Sequence, residues 1–179
     1  MDESTNYAEY AVEKKPEGKN LTKRFMMIGL YLAAIAAIVL LISLTQGGAA
    51  VLGGVLFVLV VALIWFTWRL VKEDRKYEVV NAKLKIQELN ASGKGKVVFE
   101  NLISEFSLIA PMTDEYKEQY SKADMICDYR GWSKSPDSYF ARLEKDGKSV
   151  VVYFEATNKM LKVMTFYNKK NTVVTTMRY

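Results

Sequence analysis

Residues 25–44 read FMMIGLYLAAIAAIVLLISL and residues 51–68 read VLGGVLFVLVVALIWFTW, with no charged side chain in either stretch. About twenty apolar residues in a helix, at roughly 1.5 Å of rise each, match a hydrocarbon core about 30 Å thick. Lipid offers the backbone no hydrogen bonds, so such segments satisfy their own as helices. Two transmembrane helices are therefore expected, over residues 25–45 and 50–68. Between them, Thr45-Gln46-Gly47-Gly48-Ala49 leaves room only for a tight turn. A cleaved leader is the competing reading, with Gly48-Ala49-Ala50 as its small-residue site. Against it, the first apolar run is long and a second span follows at once. The mean hydropathy of -0.01 averages these spans with strongly polar flanks.

Orientation follows the basic residues. Lys14, Lys15, Lys19, Lys23 and Arg24 precede the first span; Arg69, Lys72, Arg75 and Lys76 follow the second; the turn has none. By the positive-inside rule both termini are cytoplasmic and the turn is outside. Trp65 and Trp68 suit the inner headgroup belt. These nine basic residues also form a candidate collar for anionic lipid headgroups. The alternative is that they only set topology, and Glu13, Glu17, Glu73 and Asp74 partly offset them.

Gly29, Ala33 and Ala37 recur at four-residue spacing in the first helix, as do Ala49/Gly53 and Ala50/Gly54 in the second. Such spacing lets helices approach closely, and one set could mediate a homo-oligomer; small residues are also simply common in membrane helices. No ionisable residue lies within either span, which argues against a transporter or an intramembrane protease.

Composition excludes several chemistries. There is no histidine, so Ser-His and Cys-His nucleophiles and His-ligated metals are ruled out. One cysteine, Cys127, permits no intrachain disulfide. Sixteen basic and thirteen acidic residues lie from Tyr77 onward, a mild excess with no nucleic-acid-binding module or stripe.

The chain is thus expected to divide into a flexible cytoplasmic segment (1–24), the hairpin (25–68), a juxtamembrane linker (69–76) and a soluble domain (77–179). The second helix could extend a turn or two through 69–75. Strands are predicted at 76–80, 83–89, 96–100, 105–110, 125–129, 139–144 and 149–155. In the second, Leu84 and Ile86 alternate with lysines, so one face is buried. Asn81-Ala82 is a tight turn, and Lys145-Asp146-Gly147-Lys148 carries the strongest hairpin signal. Residues 113–122 form a loop or a short helix. Thr157 or Asn158 caps a helix to about 168, with Met160, Leu161, Met164 and Tyr167 on one face. An antiparallel sheet or open barrel capped by that helix is the natural packing.

The two spans followed by KYEVVNAKLKI (76–86) look like the hairpin and first β-hairpin of bacterial PH-like membrane proteins. More closely, the chain resembles an uncharacterised family of small two-pass membrane proteins of Gram-positive bacteria. EYAVEKK (9–15), the 77–86 hairpin, IAP (109–111) and FEATNKMLK (154–162) carry the resemblance. Ala156 departs from the family's preference for proline. The resemblance implies a cytoplasmic PH-like domain, with no assigned ligand or catalytic residue.

Other apparent sites fail on inspection. SGKGK (92–96) lacks the spacing and the following helix of a phosphate loop. Asp124 and Asp128 fit no metal-loop spacing. Cys127 has no partner base and reads as a buried or half-buried strand residue. Adjacency of Ser133 and Lys134 does not make a dyad. The expectation is a non-enzymatic, membrane-anchored interaction module without cofactor or metal, which binds a protein partner or the inner-leaflet surface. The alternative is an accessory subunit of a membrane enzyme, or an enzyme using carboxylates or lysine. A polar cleft of convergent acids would favour the enzyme; a filled core with an open sheet edge would favour the module.

Overall fold

The β-domain begins before the first apolar helix. The computed structural model describes residues 7–45, 48, 50–70, 74–90 and 93–174. Within them, β1 (Ala8–Glu13) lies antiparallel to β2 (Asp74–Val80), with Ala8 opposite Val79 and Glu13 opposite Asp74. This corrects the expected flexible segment over 1–24. Ala8, Tyr10 and Val12 alternate with Glu9, Ala11 and Glu13. The first set packs on the core, as a period-two strand requires. Tyr10 lies opposite Tyr77, their rings stacked with centroids 6.2 Å apart.

Helices α1 (Gly18–Leu44) and α2 (Ala50–Leu70) occupy the interval between β1 and β2. Their segments Leu21–Leu44 and Ala50–Thr67 are long and apolar enough to cross a membrane. They belong to one compact unit, Lys15–Lys72, and β1 belongs to the other with everything after the helices. The second helix is described to Leu70 and β2 starts at Asp74, so residues 74 and 75 of the expected helical extension are strand instead.

β2, β3 (Lys83–Leu89) and β4 (Gly95–Leu102) continue the first sheet, in the order β1-β2-β3-β4. Asn81 and Ala82 both take positive φ, 51° and 61°, as a two-residue hairpin turn matched to strand twist demands. Of the expected strand over 105–110, only the second half, 108–110, is strand. Ile103–Glu105 is a turn of 3-10 helix, and β5 spans only Leu108–Pro111. Residues 112–124 then cross one face of the second sheet through α3 (Lys117–Ser121) to β6 (Met125–Asp128). β7 (Ser138–Lys145) and β8 (Lys148–Glu155) complete it, in the order β5-β7-β8-β6. The β6–β8 pair is parallel and the rest are antiparallel. A parallel neighbour needs such a crossover.

The two sheets do not close into a barrel. Tyr77, Leu84, Ile86, Tyr139, Val152 and Phe154 fill the core with Met160, Leu161 and Met164 of α4 (Asn158–Tyr167). Thr157 caps α4, its side chain accepting from the Met160 amide. The run Val150–Phe154 is buried on both faces: Val150, Val152 and Phe154 join the main core, while Val151 and Tyr153 join a second cluster under Tyr116 and Tyr120. Asn168 locks the end of α4 by donating to the Ile103 and Phe106 carbonyls, each at 2.8 Å.

Candidate interaction surfaces

The two candidate acids are engaged within the fold. Asp124 accepts from the Ser149 amide at 2.8 Å and its own amide donates back to the Ser149 carbonyl, which starts β6 beside β8. Asp128 receives Arg130 through Nε at 2.9 Å and through Nη2. It holds the Arg130 guanidinium above its ordinary pKa. That guanidinium lies 4.9 Å from the Tyr153 ring centroid. Cys127 is half-buried on β6, as its strand position suggested. No group of three or more metal-ligating side chains occurs among the described residues. Ser92 lies outside the described residues; Gly93 takes φ +75° and Gly95 starts β4, so the glycines serve the β3–β4 connection.

Of the proposed headgroup collar, Arg75 and Lys76 belong to the sheet. Arg75 is almost fully buried, paired with Glu88 and 5.7 Å from the Tyr129 ring centroid. Lys76 pairs with Glu78 at 2.7 Å and Glu9 at 3.0 Å, and those bonds raise its pKa. Both cations are thus engaged within the sheet, because β2 starts at Asp74. Lys72 and the side chains of Lys19 and Arg69 lie outside the described residues. Lys23 is exposed, Arg24 half-buried, and Lys14 and Lys15 each already make an interaction within the chain.

The small-residue set also divides. Gly53 is buried in the α1–α2 seam, where a Cβ would come 2.5 Å from Ile42 Cδ1. The same seam carries Tyr31, whose hydroxyl bonds Thr67 Oγ1. Gly29, Ala33, Ala37 and Gly54 face outward, and a Cβ on Gly29 or Gly54 meets nothing within 4 Å.

What remains open is the rim of the sheets. The β5 edge is covered: Ile109 donates to the Asn171 carbonyl at 2.7 Å and accepts from Val173 at 2.8 Å. The end of β1 is covered by the loop at Gly131, where a Cβ would lie 2.8 Å from Val12 Cγ2. That loop is pinned by Glu155, whose Oε1 accepts from the Gly131 and Trp132 amides at 2.9 and 3.0 Å. β4 and β6 end their sheets with no further strand among the described residues. Side chains plug the space where those two edges would meet in a closed barrel. Tyr129 donates its hydroxyl to the Val98 carbonyl at 3.3 Å and packs beside Phe99. Burial and the neighbouring Cys127 raise the Tyr129 pKa. Val97 on β4 and Met125 and Ile126 on β6 are exposed. Apart from the Val98 carbonyl that Tyr129 occupies, a strand that ends a sheet in this way offers its outer amides and carbonyls to an extended chain.

Sequence reasoning missed β1, the Glu155 clasp and the identity of the open edges. A period-two pattern at residues 8–13 and a lone carboxylate ending an apolar strand were the available signals. Which strands end a sheet has no local signature. In comparison with known proteins, residues 4–174 match the family described as Bacterial PH-like domain (DUF6106). No curated protein and no solved structure matches the chain. The matched region starts before β1 and runs past α4, so the apolar helices lie inside the family's unit.

Proposed function

The chain belongs to the bacterial PH-like domain family, and on that premise we propose that it is a non-enzymatic, membrane-anchored interaction module whose domain binds a protein partner. The observation that carries this reading is a filled core bordered by β4 and β6, which end their sheets with no further strand among the described residues, with exposed Val97, Met125 and Ile126. An extended segment of a partner would add to such an edge by main-chain hydrogen bonds, with alternate side chains supplying specificity.

The anchor is α1–α2, a two-pass hairpin in the cytoplasmic membrane. Its support is topological as well as compositional. β1 precedes the helices and β2 follows them, yet they share one sheet. Both flanks must then occupy one compartment, which an even number of crossings provides. Lys14, Lys15, Lys19, Lys23, Arg24, Arg69 and Lys72 put that compartment on the cytoplasmic side. In a Cys127→Ser background, Gln46→Cys should react with an impermeant thiol reagent on intact cells, and Ser92→Cys only after lysis. The reverse pattern would overturn the orientation.

For the partner, a photo-crosslinking residue at Val97 or Met125 of the full chain in native membranes should yield a protein adduct. The same residue at Lys145, on the exposed β7–β8 turn, should not. Val97→Lys, which places charge on the edge, should abolish the Met125 adduct. Adducts of equal yield from all three positions would sink the edge assignment.

A further inference from the structure

After Glu155 the sequence contains no acidic residue. On α4, Lys159, Lys162 and Phe166 fall at positions i, i+3 and i+7, so they share one helix face. All three are exposed, Phe166 to 62%, and Lys169 and Lys170 follow exposed in the turn just past the helix. None of these four lysines forms an ion pair among the described residues. Glu9 on β1 is within electrostatic reach of Lys159, but it is engaged by Tyr7 and Lys76. The opposite face of α4 is seated in the core through Met160, Leu161, Val163 and Met164. The helix therefore cannot turn its lysines elsewhere. Two lysines and an exposed aromatic ring on one helix face, with two more lysines just past the helix, suit a headgroup layer, with lysines on phosphates and the ring at the acyl boundary.

We propose that the outer face of α4 docks on the anionic headgroup surface of the bilayer that carries the chain's own hairpin. This goes beyond the edge-binding reading and rests on the membrane-anchor reading. Charge complementarity selects the occupant, and chain connectivity supplies its concentration. α4 packs on β1 and β2, and these strands run into α1 and α2 through residues 14–17 and 71–73 alone. A tether that short makes docking intramolecular, so weak individual contacts suffice. Each lysine near an anionic surface strengthens the docked state about fivefold.

The test uses the full chain, Cys127→Ser with Phe166→Cys carrying an environment-sensitive fluorophore, reconstituted in vesicles of phosphatidylcholine with or without phosphatidylglycerol. Flotation with the vesicles after an alkaline wash checks the anchor independently; a chain that fails to float defeats the anchor reading. For a chain that floats, the expected result is blue-shifted emission quenched by doxyl-labelled lipid only when phosphatidylglycerol is present, and reversal by salt. Each Lys→Gln change at positions 159, 162, 169 and 170 should shift the docked-to-free ratio about fivefold. The fourfold Lys→Arg variant should remain docked, and it also controls for folding. Equal protection in neutral vesicles, an aqueous probe in both, or undiminished docking of the fourfold Gln variant would overturn the proposal. So would protection that appears only on addition of polyglutamate, which would assign the stripe to an acidic protein.

Discussion

α1 meets α2 across residues 45–49, whereas β1 meets β2 across the whole apolar hairpin. The helices form from local composition, because every backbone bond of a helix closes within its own segment. The sheets form from pairings that ignore sequence distance. The difference teaches that the hairpin is an insertion within the β-domain, and that the domain is incomplete on either side of it.

The largest expected effect tests that lesson directly. A soluble fragment starting at Tyr77 lacks β1 and the first residues of β2, and it should not unfold cooperatively. A chain in which Glu13 is joined to Asp74 through Asn-Gly should do so, because that dipeptide closes a two-residue hairpin in the existing register. Thermal melts followed by circular dichroism distinguish them; a cooperative transition from the shorter fragment would remove β1 from the folding unit.

A smaller effect sharpens the role of long-range bonds within the domain. Asn168→Ala removes two bonds beside the core, leaving the Ile103 carbonyl with only the Phe106 amide at 3.3 Å and the Phe106 carbonyl with only the Asn171 side-chain amide at 3.2 Å. The expected loss is about 2 kcal/mol in urea unfolding of the Asn-Gly-linked domain, since each of the two bonds contributes a net of about 0.5–1.5 kcal/mol. A change no larger than that of an exposed substitution such as Lys145→Ala would refute the lock.

The hairpin should respond to volume at one glycine and ignore it at the next. Gly53→Val drives a side chain into Ile42 and should cost about 2 kcal/mol of helix–helix stability. Gly54→Val, facing open space, should cost almost nothing in the monomer. Unfolding of the full chain in detergent micelles measures both. Should Gly54→Val be the more disruptive, the outward face would be a contact between copies.

The smallest effect is a gain. Ala82 sits at φ 61°, a conformation that costs an L-residue roughly 1–2 kcal/mol. Ala82→Gly should stabilise the linked domain by about 0.5–1 kcal/mol after the greater unfolded-state entropy of glycine is set against it. A melting temperature that falls instead would mean that Ala82 makes contacts worth more than its strain.

Much of the β-domain was legible because its strands alternate or carry turn chemistry. Lys83–Leu89 buries Leu84 and Ile86 as its pattern demands, and Asp146-Gly147 turns β7 into β8 with both residues at positive φ. The Thr157 cap and the apolar face of α4 followed from helix periodicity. β1 escaped because a short strand between charged residues looks like a polar tail until its partner, beyond the apolar run, is known. The pairing of Arg75 and Lys76 within the sheet escaped for the same reason. A basic residue beside a membrane helix and one beginning a strand look alike in sequence. Their fates differ because Glu88 and Glu78 wait on β3 and β2.

By itself, then, the sequence determined two apolar helices, a β-rich domain and a closing amphipathic helix, since apolar length and periodicity act within a single segment. Only the tertiary structure decided that β1 joins the first sheet, that Gly53 and not Gly54 sits in the seam, and that β4 and β6 end their sheets among the described residues. Those outcomes depend on which segments compete for the same backbone hydrogen bonds and the same buried volume. That competition is settled between segments far apart in the chain, where no local pattern records it.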